Sequence, residues 1–168
     1  MTNDDLKFIA DAMLGRLARW IRIIGYDVEY HKVISDDELV RRAIACNRIL
    51  LTRDTKLINR KAVRCCLYIG SEDYLEQLKQ VIRHFGISVL PLSACGHAQA
   101  GRIFSRCTIC NSPLHYIEKK DAEDRVPSFI YQTQHVFMEC PQCMKIYWRG
   151  THRKQIMERL SKILATVK

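Results

Sequence analysis

The 168-residue sequence lacks the features that mark several large classes of protein. It has no run of about 18 apolar residues, so the sequence predicts no transmembrane helix. Its N-terminal segment MTNDDLKFIA has no basic region followed by an apolar stretch, and therefore does not resemble a secretory signal. We expect a cytoplasmic protein that does not have a membrane as a partner.

Motifs of several enzyme classes are also missing. The chain contains no Walker-type phosphate-binding loop, and no Cys–His or Ser–His arrangement indicates nucleophilic catalysis. The D-x-D motif of the common aspartyl phosphatases is absent at Asp11, because residue 13 is methionine. A phosphatase is therefore only a weak alternative for this chain.

Positive charge is in excess, with a formal net charge of +9, and it is unevenly distributed. Residues 1–94 carry 15 basic and 12 acidic side chains, whereas residues 95–168 carry 12 basic and 6 acidic ones. A basic surface favours a polyanion, most often nucleic acid, although a basic protein without such a partner is the alternative. We expect the second part to be the one that binds RNA.

Strand and helix patterns alternate over residues 1–92. Parallel strands need crossover helices, so the alternation predicts an α/β domain with a mostly parallel sheet and helices on both faces. A short edge strand at 87–92 completes it, because a strand that contains Pro91 is best tolerated at an edge. The other predicted strands cover 7–11, 26–31, 48–52 and 63–70, and the predicted helices cover 12–25, 35–47, 56–62 and 71–86.

The periodic pattern stops at residues 93–106, where we place a linker. Residues 107–150 contain two C-x-x-C pairs and are predicted to form a small zinc ribbon. Residues 151–168 are predicted to form a basic amphipathic helix, because apolar side chains recur on one side of it. This apolar stripe consists of Ile156, Leu160, Ile163 and Leu164.

Two C-x-x-C pairs can converge on one zinc ion. Eight cysteines without a signal peptide argue against a disulfide framework. Four thiolates leave no open coordination position, so we predict a structural zinc; redox dithiols or unliganded pairs are the alternative. We expect Cys46, Cys65 and Cys66 to be small buried side chains. The predicted zinc ligands are Cys107, Cys110, Cys140 and Cys143.

Two predicted strands end in an aspartate, at Asp11 and at Asp54. In open parallel sheets, active sites lie beyond the carboxyl ends of the strands, where the strand order reverses. A strand order of 2-1-3-4 would bring the two carboxylates together, and Mg²⁺ or Mn²⁺ would relieve their repulsion. Thr52 lies two residues before Asp54 and can orient it. The alternative for Asp54 is an Asx-turn that leads out of the strand.

Asp36 and Asp37 offer a further acid at the start of the second helix. A capping box formed by Ser35 and Glu38 explains this segment equally well, since acids in a first turn favour the helix dipole. Asp73 has the same ambiguity at the start of a later helix, and capping is favoured there. Three carboxylates around a divalent cation can hydrolyse a phosphodiester.

Two sets of basic residues are predicted to contact RNA. One set recurs at a spacing of three on the first helix, although a solvated helix face explains it as well. The other set lies in IYWRGTHRK (146–154), where Tyr147 and Trp148 can stack on bases or pack the ribbon against the sheet domain. The sets are Arg16, Arg19 and Arg22, and Arg149, His152 and Arg153.

Several segments together resemble a known family over residues 6–153. They include FIADAMLGRLARWIRIIGYDVEY, SDDELVRRA, RILLTRDTKL, SRCTICNSPL and DRVPSFIYQTQHVFMECPQCMKIYWRGTH. They are similar to the PIN-like ribonuclease family with a C-terminal zinc ribbon, named after the carboxy-terminal domain of a worm mutator exonuclease. The resemblance implies a PIN-like three-layer fold and metal-dependent RNA cleavage.

The resemblance also implies the catalytic residues. The acids of PIN enzymes correspond to Asp11, Asp54 and either Asp37 or Asp36, with Asp73 as a weaker fourth. PIN enzymes usually carry a further acid on a helix in mid-domain, and here the SDDE segment must meet that role. Two hypotheses follow. The chain is a metal-dependent ribonuclease, or it is a non-catalytic RNA-binding or assembly module whose acids only cap helices.

Overall fold

The computed structural model describes residues 6–87, residue 89 and residues 102–166. Most of the predicted edge strand at 87–92 and most of the predicted linker at 93–106 lie outside these residues. Among the described residues, the longest and most apolar helices still fall short of what a membrane crossing requires.

A four-stranded parallel sheet forms the first part of the fold, with the strand order β2-β1-β3-β4. Both the order and the direction confirm the predicted α/β arrangement. All four residues of β3 are buried, as expected for a central strand that is covered on both faces. The elements are β1 (Lys7–Ala10), α1 (Gly15–Ile23), β2 (Asp27–Tyr30), α2 (Asp36–Ala45), β3 (Ile49–Thr52), α3 (Thr55–Ile58), β4 (Cys66–Tyr68) and α4 (Tyr74–Phe85).

Helices cover both faces of this sheet. Neighbouring strand residues point to opposite faces, so Phe8 and Leu51 join the main core under α1 and α4. Ile9 and Leu50 join a second core with Leu39 of α2 and with α3. The first part is therefore a three-layer α/β/α structure.

Asp11 separates the first strand from the first helix. β1 ends at Ala10, and a 3₁₀ turn at Ala12–Leu14 precedes α1. The predicted strand at 7–11 and the continuous helix at 12–25 are wrong in this respect. The Asp11 side chain does not cap the 3₁₀ turn, which leaves its carboxylate for a contact across the sheet.

The second part, residues 107–150, is the ribbon, and it contains a three-stranded antiparallel sheet. The sheet consists of β5 (His115–Ile117), β6 (Phe137–Glu139) and β7 (Ile146–Trp148), in that order. A 3₁₀ turn at Lys119–Ala122 and α5 (Ser128–Thr133) accompany it. Its core consists of only Ala122, Phe137 and Ile146, with partly buried neighbours.

Arg22 joins the ribbon to the first part. Its guanidinium donates to the carbonyl of Val28 on β2. It also donates to the carbonyls of Thr108 and Ile109, which lie between Cys107 and Cys110. Arg22 is only 5% exposed. The expectation of an exposed Arg16–Arg19–Arg22 row is therefore wrong at its third member. Three residues turn a helix by about 300°, so Arg22 lies about 120° around the axis from Arg16.

Asn111 covers the outer edge of β2. Its side chain accepts the Val28 amide at 3.2 Å and donates to the Asp27 carboxylate at 2.8 Å. Arg48 also donates to Asp27, at 2.6 Å. Burial alone would raise the pKa of Asp27, but the hydrogen bonds from Arg48 and Asn111 and the nearby arginine charges hold this pKa below its usual value. The ribbon therefore protects an edge strand that would otherwise be open to pairing.

The last helix, α6 (Thr151–Ala165), returns to the first part. Its buried residues Ile156, Leu160 and Ile163 belong to the main core, and the helix contacts α4. The predicted apolar stripe is therefore confirmed. Both ends of the ribbon are held by the α/β part, one through residues 102–106 and the other through α6.

We expect Arg22→Met to lower the free energy of unfolding by about 2–4 kcal/mol, because buried carbonyls on both sides of the junction lose their donor. Urea unfolding followed by circular dichroism measures this change. Arg19→Met, the same substitution at an exposed position of the same helix, is the control. Equal stability of the two variants would contradict a role for Arg22 in joining the two parts.

Candidate metal centres and nucleic-acid surface

The C-terminal ends of β1 and β3 bring Asp11 and Asp54 to the same edge of the sheet, which we call the carboxyl edge. The strands are neighbours, with Ala10 opposite Leu51, and the Asp11 amide donates to the Leu51 carbonyl at 3.0 Å. The Thr52 hydroxyl donates to Asp11 Oδ2 at 2.7 Å and accepts the Asp54 amide at 2.9 Å. The predicted adjacency of the two strand ends is confirmed, and one hydroxyl connects them.

The residues of this arrangement differ in their exposure to solvent. Thr52 is fully buried, and Asp11 is 8% exposed. A buried carboxylate needs hydrogen-bond donors, and Thr52 is one of them. Asp54 is half-buried, and its Oδ1 accepts the Lys56 amide at 2.7 Å, which caps α3. The predicted Asx-turn is thus present, and it occupies one oxygen of Asp54.

Arg60 pairs with the acids at the start of α2. Its guanidinium contacts Asp37 directly and lies 3.7 Å from Asp36 Oδ2. The hydrogen bond to Asp37 is the largest cause of a raised Arg60 pKa, to which the charges of Asp37, Asp36 and Asp54 add. The charge of Arg60 therefore interacts with all three acids, and its guanidinium contacts the two at the start of α2.

Helix capping accounts for some of the predicted candidates. Ser35 accepts the Glu38 amide at 3.3 Å, as a capping box requires, but the Glu38 carboxylate pairs with Arg41 and Arg42. Only half of the predicted capping box is therefore formed. Asp73 accepts two amides at the start of α4, so its favoured role as a cap is confirmed.

The four cysteines are the one group of three or more metal-binding side chains that converges within the described residues. Their sulfur atoms all lie within 4.8 Å of one another. The closest pairs are Cys110–Cys140 at 3.2 Å and Cys107–Cys143 at 3.6 Å. Four Zn–S bonds of about 2.3 Å would place the sulfurs about 3.8 Å apart, so the donor set fits zinc. The acids at the sheet edge do not converge in this way.

The four thiols cannot all ionise together without a cation, because like charges at these distances repel each other. Burial raises the pKa of Cys110, but the Ser112 amide and neighbouring side chains lower it to about 6. The Lys145 amide lowers the pKa of Cys143, whereas burial and contacts with the other three thiols raise it to about 12. A divalent cation would allow all four to be thiolates.

The cysteines outside this cluster differ from expectation. Cys46 and Cys65 are exposed, so their predicted burial is wrong. Cys46 is the C-terminal cap residue of α2, and Cys65 precedes β4, so both lie outside the packed strand and helix faces. Cys66, the first residue of β4, is partly buried against the second core.

Two clefts adjoin along α1. The ribbon cleft, of about 210 Å³, lies between α1, the ribbon and the start of α6. The helix cleft, of about 370 Å³, lies between α1, the start of α4 and α6. They form one continuous surface, because the same four residues line both. These shared residues are Arg19, Ile23, His152 and Ile156.

Five of the six residues predicted to contact RNA line this surface, and the buried Arg22 does not. Arg149 and Arg153 line the ribbon cleft, and Arg16 lines the helix cleft. Arg19 and His152 line both clefts. The two sets that the sequence analysis kept separate are therefore parts of one surface.

The two predicted stacking residues are held by the ribbon. The Tyr147 hydroxyl accepts the Thr108 amide at 3.2 Å and lies 3.2 Å from the Cys107 sulfur. Trp148 packs against the ribbon core, and a Cβ at Gly150 would approach its Nε1 to 3.0 Å. Both side chains line the ribbon cleft, but neither is a free aromatic platform.

Sequence analysis missed three residues at these sites. Arg60 contacts the acids of α2, the Phe104 ring lies 4.4 Å from the Arg153 guanidinium, and Tyr74 stacks on Trp20 at 6.2 Å. Each contact joins segments that are distant in sequence. No periodic pattern or motif marks such residues, so there was no local signal to find them.

A family model described as the Mut7-C RNAse domain matches residues 6–160. Comparisons with curated proteins and with solved structures gave no match. The matched range includes the Asp11–Thr52–Asp54 edge, the four cluster cysteines and the arginines of both clefts, and the family description indicates a ribonuclease-type function with RNA as substrate. Because the match covers most of the sequence, the chain belongs to the Mut7-C RNAse domain family.

Proposed function

We propose that this chain is a divalent-metal-dependent ribonuclease of the PIN-like class that hydrolyses RNA phosphodiester bonds at the edge formed by Asp11, Asp54 and the start of α2. The observation that carries the proposal is the Thr52 hydroxyl, which connects Asp11 with the backbone of Asp54. The two strands meet where the strand order reverses. Acids at two neighbouring strand ends supply the hard oxygen ligands that a divalent cation prefers.

Mg²⁺ or Mn²⁺ is the proposed catalytic cation, because both ions prefer hard oxygen ligands. When bound, such an ion activates water and stabilises the charge that develops on the phosphate. Asp11 and Asp54 would hold it, and Asp36 or Asp37 would complete the set. Thr52 keeps Asp11 oriented by donating to its Oδ2, so that its Oδ1 would be available to a cation.

Arg60 gives the site a second feature. It pairs with Asp36 and Asp37, so these acids join the cation only when the arginine turns away. The Arg60 side chain is 38% exposed and can therefore reorient. Once released, its planar guanidinium is suited to bind an RNA phosphate beside the cation.

Zn²⁺ is the proposed structural ion of the ribbon. Four thiolates complete a tetrahedron and leave no position for substrate. The ribbon has a small core, so the ion supplies much of its folding free energy. β7 of the ribbon leads directly into the start of α6. A folded ribbon therefore positions Arg149, His152 and Arg153 for RNA.

The alternative is a non-catalytic RNA-binding module. The observations that favour it are the capping contact of Asp54 and the pairing of Asp36 and Asp37 with Arg60, because both are stable without a cation. A module of this kind would bind RNA through the clefts and leave it intact in Mg²⁺ or Mn²⁺. Cleavage that depends on Asp54 therefore distinguishes the two hypotheses.

We expect Asp54→Asn to lower Mg²⁺- or Mn²⁺-dependent RNA cleavage by at least about a hundredfold, the order expected when a metal ligand is lost. Asparagine can still cap α3, so the fold should persist. Asp73→Asn is the control, since Asp73 caps α4 in the same way. Single-turnover cleavage of labelled RNA measures the effect. Equal rates in the two variants would mean that Asp54 only caps a helix.

Thr52→Val tests the orientation of Asp11. We expect it to lower the free energy of unfolding by about 1–3 kcal/mol, because a buried carboxylate loses a donor. Half-maximal cleavage should also require more Mn²⁺, and Thr52→Ser should restore both values. A change in stability without any change in the Mn²⁺ dependence would argue against Thr52 as a positioning residue.

Elemental analysis tests the zinc site. We expect one zinc per wild-type chain, and its loss in Cys140→Ser with loosening of residues 107–150, while the α/β part stays folded. Cys65→Ser, which removes a thiol outside the cluster, should keep the zinc. Wild-type protein purified under reducing conditions without stoichiometric zinc would refute the assignment.

A further inference from the structure

The two clefts combine an apolar floor with several cations, of which Arg106 alone pairs with an acid, Asp27, among the described residues. Met138 and Leu114 contribute to the floor of the ribbon cleft, and none of the described residues that line either cleft is acidic. Within the described part of the chain, Arg149 and Arg153 form no ion pair with a carboxylate. Burial and the Arg149 charge lower the pKa of Arg153. A surface that keeps like charges close together in this way favours a polyanion.

The N-terminal end of α6 adds to this positive field. Gly150 is the N-cap residue and provides no side-chain acceptor. Its carbonyl accepts the Arg153 and Lys154 amides, which leaves the Thr151 and His152 amides at this end of the helix. The ribbon cleft includes Gly150, His152 and Arg153. Free amides and the helix dipole at such an end favour a phosphate, in addition to the arginine charges.

The shape of the ribbon cleft favours a base that is not stacked in a duplex. Tyr147, Trp148 and Phe104 line it beside the aliphatic floor, and its volume is about 210 Å³. A flat nucleobase can enter such an apolar slot and contact aromatic edges, while its phosphates remain at the cationic rim. A base inside a duplex is paired and stacked, so it cannot enter.

The helix cleft extends from this slot along α1 towards the N-terminal end of that helix, which follows Asp11 in the chain. Arg19 lines both clefts, and Arg16 lies one helical turn closer to Asp11. The Arg16 guanidinium lies 5.8 Å from the Tyr74 ring, at the start of α4. From Ile23 to Arg16 the path along α1 is about 10 Å, a span that a few nucleotides cover.

We propose that the ribbon cleft binds one unstacked base of the RNA substrate, with the neighbouring phosphates on Arg19 and Arg16 in the direction of Asp11. This inference rests on the proposed ribonuclease function, which it extends to a base-binding slot and a binding path. In this binding path the ribbon favours RNA with an unpaired base, because duplex RNA offers phosphates but no free base for the ribbon cleft.

Binding of short fluorescent RNAs to the zinc-loaded chain without added Mg²⁺ or Mn²⁺ tests the path. The probes are a single-stranded RNA and a duplex that contains it. We expect the single strand to bind at least tenfold more tightly. Val136→Trp, which fills the open side of the ribbon cleft, should abolish most of this preference. Arg149→Ala with Arg153→Ala should weaken both probes and reduce the salt dependence by up to about two phosphate contacts.

Arg41→Ala with Lys120→Ala is the control for the lost charge, because it also removes two cations, and these two are exposed and lie outside both clefts. Zinc content and circular dichroism confirm that each variant is folded. Duplex binding as tight as single-strand binding, or cleft variants that bind like the control, would overturn the inference even if cleavage depends on Asp54. Conversely, the expected binding without Asp54-dependent cleavage would uphold the binding path and reject the ribonuclease.

Discussion

The hydrogen bonds of the Thr52 hydroxyl determine the geometry of the carboxyl edge. The hydroxyl is buried between β1 and β3, where it donates to the Asp11 carboxylate and accepts the Asp54 amide. This contact exists only because the two strands are parallel neighbours in a fixed register. It also directs the chain into α3, whose C-terminal side carries Arg60 to the acids of α2. One arrangement therefore includes the pairing of β1 with β3, the two aspartates Asp11 and Asp54, and Arg60.

Helix α1 couples this edge to the ribbon. On its buried side, Arg22 donates to carbonyls in the turn between Cys107 and Cys110. On its exposed side, Arg16 and Arg19 line the clefts. Arg22 therefore places the four-cysteine cluster in direct contact with the helix that follows Asp11. The ribbon has a small core, so we expect a bound cation, Arg22 and α6 together to determine where its arginines lie.

The sequence predicts the regular parts of this fold well. Alternating strand and helix patterns predict the parallel sheet, the two C-x-x-C pairs predict the sulfur cluster, and the apolar stripe of α6 predicts its packing. These features depend on local spacing. The burial of Arg22, the exposure of Cys46 and Cys65 and the pairing of Arg60 depend on tertiary contacts, which local spacing does not encode. For the same reason, the two arginine sets look independent in the sequence although they share one surface.

Anomalous diffraction from Mn²⁺-soaked crystals of the zinc-loaded chain tests the central claim most directly. The proposed metal centre predicts a manganese peak at the carboxyl edge, about 2.1 Å from carboxylate oxygens of Asp11 and Asp54. It also predicts that Arg60 has left Asp36 or Asp37 in the same crystal. An edge without manganese at saturating concentration, with the Thr52 bridge intact and Arg60 still paired, would contradict the account.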